Sequence, residues 1–213
     1  MKPLLIYCYD AYCGWCFGFS PVISKIAKEY ASVCDIEVIS GGMILPEQPV
    51  HIAATAAYIK EAYKVVEQRT GVKFGADYLW HIENPDDSDW FPNSEKPAKA
   101  MCVFKTYFPE RAIEFAADLQ YSLHVEGRDL TDDEAYRHLL EKYTIPEEAF
   151  YVKLKDPQTK EDAHYEFSLA KQLKVTGYPT LFIQKEDGVF HLIAQGFTEY
   201  EILKDRMENV LKK

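Results

Sequence analysis

Cys13 and Cys16 stand two residues apart in Tyr12-Cys13-Gly14-Trp15-Cys16-Phe17. Two thiols at that spacing can exchange electrons with another disulfide, or can supply half of a metal site. Five cysteines in 213 residues are too few for a disulfide scaffold, so a close pair points to chemistry and not to stapling. Tetrahedral zinc needs four ligands, whereas Cys8, Cys34 and Cys102 are scattered and form no second pair. The six histidines show no ligand spacing. The expectation is a redox pair that uses no metal and no cofactor beyond its own Cys13–Cys16 disulfide. Cys8, Cys34 and Cys102 are expected to be small buried apolar groups.

The flanking pattern says what positions the pair. Residues 3–9 are continuously apolar and aromatic, the signature of a central strand covered on both faces. After Cys13 the apolar positions change to helical spacing at Val22, Ile26 and Tyr30, with Pro21 inside the run and expected to kink it. A strand therefore meets a helix at the cysteines. At a helix start, unpaired N–H groups and the dipole stabilise an anion and bring a thiol below its free pKa of ~8.5. Cys13 is thus the expected nucleophile, and Cys16, one turn further on, the group that resolves a mixed disulfide. Gly14 permits close approach of a partner backbone, and Trp15 forms an apolar lip. Two roles are open to Asp10, three residues before Cys13: relaying a proton for Cys16, or capping the helix.

Asp35–Ser40 alternates and is β-branched, a second strand ended by Gly41-Gly42. From 43 to 165 the pattern is helical. Ile52, Ile59, Tyr63 and Val66 mark one helix, and Ile113, Ala116, Gln120 and Leu123 another. Thr131-Asp132-Asp133-Glu134 reads as a capping box for a helix toward Tyr143, and Asp156-Pro157 as a cap with an N1 proline. Residues 78–92, with Trp80, His81, Trp90 and Phe91, read as an ordered aromatic loop that either lines a substrate groove or packs the insertion. Strand signals return at Thr180–Ile183 and Phe190–Ala194 around Glu186-Asp187-Gly188, a hairpin. Thr198-Glu199-Tyr200-Glu201 reads as a second capping box, opening a helix with Tyr200, Leu203, Met207 and Val210 on its core face.

The net charge of -10 leaves no basic footprint for nucleic acid or anionic lipid. No run reaches the length of a membrane span, and no leader pattern precedes the first strand. The expectation is a cytoplasmic chain.

With Asp10-Ala11-Tyr12-Cys13-Gly14-Trp15-Cys16-Phe17-Gly18-Phe19-Ser20-Pro21, Gly41-Gly42-Met43 and Val175-Thr176-Gly177-Tyr178-Pro179-Thr180 in this order, the chain resembles the DsbA-like thiol-disulfide oxidoreductases, and more closely their FrnE-type branch of predicted protein-disulfide isomerases. The resemblance implies an α/β thioredoxin fold (βαβ…ββα) with a large all-helical insertion between its second and third strands. Residues 1–42 and 166–213 would form the thioredoxin-like domain and 43–165 the insertion. It also implies a cis Pro179 lying against Cys13 as part of the catalytic set, with Tyr178 and Thr180 facing the substrate. The chain has Tyr7 where the best-known periplasmic oxidase has a buried glutamate, and Gly-Trp where that oxidase has Pro-His. Oxidase activity is therefore not carried over with the fold.

The reading is a thiol-disulfide oxidoreductase acting on protein thiols or disulfides, with glutathione as a further candidate partner. Two alternatives stand beside it. One is an enzyme like the kappa-class glutathione transferases and hydroxychromene-carboxylate isomerases, which as a rule lack the second cysteine. The other is a non-enzymatic holdase or adaptor.

Overall fold

A computed structural model describes residues 2–212. Its centre is the apolar run after Pro3, which forms β1 (Leu4–Tyr9). Side chains alternate across a strand. Leu5, Tyr7 and Tyr9 accordingly enter the main core, while Ile6 and Cys8 enter a second, smaller one with Ile39, Ala170 and Phe182. The strand is buried on both faces, as its composition predicts.

From β1 the chain passes into α1 (Gly14–Tyr30), which runs unbroken through Pro21, and returns in β2 (Asp35–Ser40) parallel to β1. The hairpin β3 (Thr180–Glu186) and β4 (Val189–Gln195) turns at Gly188, whose φ of 75° suits glycine, and pairs antiparallel with β1 through β3. The sheet order is β2-β1-β3-β4. With the helical segment between β2 and β3, this is the thioredoxin fold anticipated from the sequence.

The inserted segment holds α2 (Ala53–Thr70), α3 (Ala76–Glu83), α4 (Glu95–Lys105), α5 (Ala112–His124), α6 (Glu134–Tyr143), α7 (Glu147–Lys155) and α8 (Pro157–Gln172). The last helix, α9 (Tyr200–Leu211), returns Leu203 and Met207 to the main core. The boundary expected at 165/166 falls inside α8, one helix whose Ala170 packs under the sheet. Asp156 caps α8 as read, accepting from the Gln158 N–H at 2.9 Å.

Four local expectations are corrected. Residues 78–92 are not a loop throughout: α3 carries Tyr78, Trp80 and His81, and a 3₁₀ turn follows at Pro85–Asp87. Thr131 does not cap α6, because that helix begins at Glu134 and the Asp132 carboxylate takes the Glu134 N–H at 3.1 Å. Thr198 does not cap α9, which starts at Tyr200; the Thr198 hydroxyl donates instead to the Gly196 carbonyl at 3.4 Å. Cys8 and Cys34 are buried, but Cys102 is only half-buried, its thiol donating to Glu166 Oε1 at 3.7 Å.

Candidate functional site

Cys13 occupies the N-cap of α1, with φ -80° and ψ 108°, and its Sγ accepts the Cys16 N–H at 3.3 Å. The residue expected as nucleophile therefore satisfies one of the free donors at the helix start with its own sulfur. Cys16 follows within the first turn and is fully buried. Burial pushes the Cys16 thiol well above the ordinary cysteine range, and the adjacent Cys13 sulfur adds to it.

Because Cys13 holds the cap position, Asp10 does not. Its carboxylate is buried and accepts from the Tyr12 N–H at 3.0 Å, the Met43 N–H at 2.7 Å and the Ser94 hydroxyl at 2.9 Å. It ties the loop before α1 to the inserted segment. Burial raises its pKa, against the pull of these donors. Its backbone carbonyl accepts from Cys13 N–H at 3.2 Å and from Gln120 Nε2 at 3.4 Å.

The opposite wall is the segment before β3. The Tyr178–Pro179 bond is cis, and the Tyr178 carbonyl accepts from Cys13 Sγ at 3.5 Å. The Tyr178 hydroxyl donates to the Gly41 carbonyl at 2.8 Å, and its ring lies so close that a Cβ on Gly41 would fall 2.1 Å from it. A side chain at 41 would displace that wall. Thr180 does not face the site: it is buried in β3 opposite Cys8, and its hydroxyl donates to the Gly177 carbonyl at 2.6 Å.

A cavity of about 280 Å³ opens beside Cys13, Gly14 and Trp15. Its far side comes from the insertion: Met43 and Ile44, then Tyr58, Ile59 and Tyr63 of α2, with Phe74 and Tyr78 behind them. No charged side chain lines it. None of Trp80, Trp90 and Phe91 reaches it. Trp90 is buried and stacks on His81 with ring centres 3.8 Å apart, while Trp80 and Phe91 lie exposed elsewhere.

Two side chains near the pair had no local signal in the sequence. Ser94 lies 84 residues from the Asp10 it binds. His124, at the end of α5, is buried among Phe17, Phe74 and Tyr78 at 5.2, 5.3 and 5.0 Å. Burial pulls its pKa down to about 3. Among the described residues no three His, Cys, Asp or Glu side chains converge to hold a metal ion, and no helix is long and apolar enough to cross a membrane.

Comparison with known proteins places this geometry. The profile of a DSBA-like thioredoxin domain matches residues 5–208. A candidate protein disulfide isomerase from Nitrosomonas europaea superposes with a TM-score of 0.87 at 24% identity, over 100% of this chain and 98% of the other. The cytosolic disulfide reductase DsbM from Pseudomonas aeruginosa, solved with GSH, does so at 0.77 and 23% identity, over 99% and 100%. The same fold reaches a 2-hydroxychromene-2-carboxylate isomerase at 0.65 and 15% identity, over 98% and 96%. Among curated proteins, the ClpXP adapter protein SpxH of Bacillus subtilis strain 168 is 21% identical over 99% of this chain and 68% of its own length. At these identities the likeness is one of fold.

Proposed function

The chain belongs to the DSBA-like thioredoxin domain family of thiol-disulfide oxidoreductases, and we propose that within it the chain is a dithiol enzyme that reduces or isomerises disulfides in other proteins. The observation that carries this reading is the placement of the pair. Cys13 sits in the cap of α1 against the Tyr178 carbonyl, while Cys16 lies buried in the first turn, its N–H on the Cys13 sulfur and burial pushing its thiol pKa up. In the first step Cys13 attacks a substrate disulfide, and in the second Cys16 attacks Cys13 and releases the reduced substrate. Asp10, buried within electrostatic reach of Cys16, is the candidate to relay the Cys16 proton.

What surrounds the sulfurs supports the reducing direction. A strongly oxidising pair owes its potential to a stabilised reduced form. Here no cation lines the cavity beside Cys13, and burial works against a Cys16 thiolate. The uncharged walls also favour an apolar protein segment over glutathione, whose carboxylates and ammonium would find no counter-charge there.

Replacing the resolving thiol tests the reading. Cys16→Ala is expected to accumulate mixed disulfides through Cys13 that a reductant releases, and the unaltered chain to reduce the interchain disulfides of insulin. A chain that does neither is not a disulfide reductase. The isomerase-like alternative has its own readout, conjugation of glutathione to a small electrophile, and the second cysteine argues against it. The adaptor reading draws support from the Bacillus subtilis relative. It predicts that delivery of a client to a protease is unaffected by Cys13→Ser combined with Cys16→Ser.

A further inference from the structure

Ser94 stands at the N-cap of α4, where a serine ordinarily turns its hydroxyl onto an N–H of its own first turn. Here the hydroxyl makes no such bond, and the Glu95 N–H goes to the Asn93 side-chain oxygen at 2.8 Å instead. Ser94 is 2% exposed, and its hydroxyl donates to Asp10 Oδ1 at 2.9 Å while accepting the Ile44 N–H at 3.0 Å. One hydroxyl can do both, being a donor to a carboxylate and an acceptor for an N–H. The Ser94 N–H completes the pairing by donating to the Ile44 carbonyl at 2.8 Å. The serine therefore serves Ile44 and Asp10 rather than its own helix.

Between β2 and α2 the chain forms neither strand nor helix, so no ladder holds residues 43 and 44. Side chains do so instead: the Met43 N–H goes to Asp10 Oδ2 at 2.7 Å, and the Ile44 N–H to Ser94. The backbone carbonyl of the same Asp10 accepts the Cys13 N–H at 3.2 Å. Cys13 and Met43-Ile44 are thus fixed to one frame, and all three residues line the cavity of about 280 Å³. A wall set before a partner arrives spares the cost of ordering it on binding. Building on the oxidoreductase reading, we propose that Ser94 is a positioning residue that sets the Met43-Ile44 wall against Cys13 and so determines the affinity for the apolar protein segment that carries the disulfide.

None of these serine bonds goes to Cys13 or Cys16, and Ser94 does not itself line the cavity. Its effect belongs to recognition and reaches the substrate through Met43 and Ile44. Without the hydroxyl, the part-buried Ile44 N–H loses its acceptor, whereas Asp10 keeps the Tyr12 and Met43 N–H groups. The wall loosens while the loop that carries Cys13 stays tied.

The test uses the reduced full-length chain and two disulfides. One is insulin, read as KM and kcat with a recycling reductant. The other is a small aromatic disulfide whose carboxylates disfavour an uncharged cavity and whose leaving thiolate is coloured. Attack by Cys13 releases one equivalent, and resolution by Cys16 releases the second. In Ser94→Ala the KM for insulin is expected to rise about tenfold with kcat unchanged, and both coloured releases to keep their wild-type rates. Added to Ile44→Ala, which itself raises KM, Ser94→Ala should change KM by less than about twofold, because the two act through one wall. An unchanged KM in either single variant, a further rise of about tenfold on the Ile44→Ala background, or a slowing of either coloured release would each overturn the proposal. A serine that served stability alone would lower the denaturation midpoint and move neither KM nor kcat. The oxidoreductase reading fails differently: the wild type would reduce no insulin, and the wild type and Cys16→Ala would both show no first release.

Discussion

Buried polar groups meet different fates at two places on the sheet. At the β2 edge, where α4 and α8 reach it, Glu166 accepts the Ser40 N–H at 2.7 Å and Lys105 at 2.5 Å, and Lys105 also donates to Glu37 at 2.7 Å and to the Val38 carbonyl at 2.9 Å. Among the described residues there, the Ser40 hydroxyl alone stays without a partner. Around Cys13 and Cys16, by contrast, the Tyr7 and Tyr12 hydroxyls and the His124 ring sit among aromatic side chains and join no comparable network. A satisfied network holds elements in register. The first place bears on stability, and the second surrounds the cysteine pair.

The largest expected effect tests the first assignment. Burial alone would lower the Lys105 pKa, and the Glu166 and Glu37 carboxylates more than reverse that. Glu166→Ala removes the more buried carboxylate and leaves the Ser40 N–H without an acceptor, so a loss of about 3 kcal/mol is expected in urea denaturation. Resolution by Cys16 should keep its rate in the folded variant. If that rate falls as well, the two places are not separate.

A smaller effect comes from His124, which burial holds neutral. Its folded pKa is about 3 against an ordinary 6.5, so the unfolded chain takes up a proton first as the pH falls. Its contribution to stability is therefore complete above pH 6.5 and is lost toward pH 3, by up to about 1.4 kcal/mol per pH unit. His124→Phe, which suits the surrounding aromatic rings, should narrow the gap between the urea midpoints at pH 7 and pH 5. An unchanged gap would mean that His124 finds a partner for its charge.

The smallest effect belongs to the cap of the helix that carries Glu166. Asp156→Ala should cost about 1 kcal/mol, seen as a lowered melting temperature, with both thiol-release phases unchanged. A slowed second phase would connect α8 to the redox end and weaken the division between the two places.

What was legible in the sequence was local. The run Leu4–Tyr9, the change to helical spacing after Cys13, the Asp156 cap and the turn at Gly188 all depend on residues within a few positions of one another, and all appear as read. The misreadings have the opposite character. The aromatic stretch around Trp80 resembled a loop because its helix is only 8 residues long and ends at Asn84-Pro85. Asp10 was open to capping because nothing nearby revealed Met43 and Ser94 as its partners, 33 and 84 residues away. Thr180 follows Pro179 directly, but strand pairing turns it inward.

By itself, then, the sequence determined where the two thiols stand: one at a helix start, a second one turn on, with a strand and a proline-bearing segment to frame them. The tertiary structure alone decided the medium in which they react. Whether a hydroxyl is paired, whether a carboxylate is dry and whether a cavity carries charge all depend on contacts between distant parts of the chain. Solvation and hydrogen-bond geometry are properties of those contacts, and no spacing of residues along the chain specifies them.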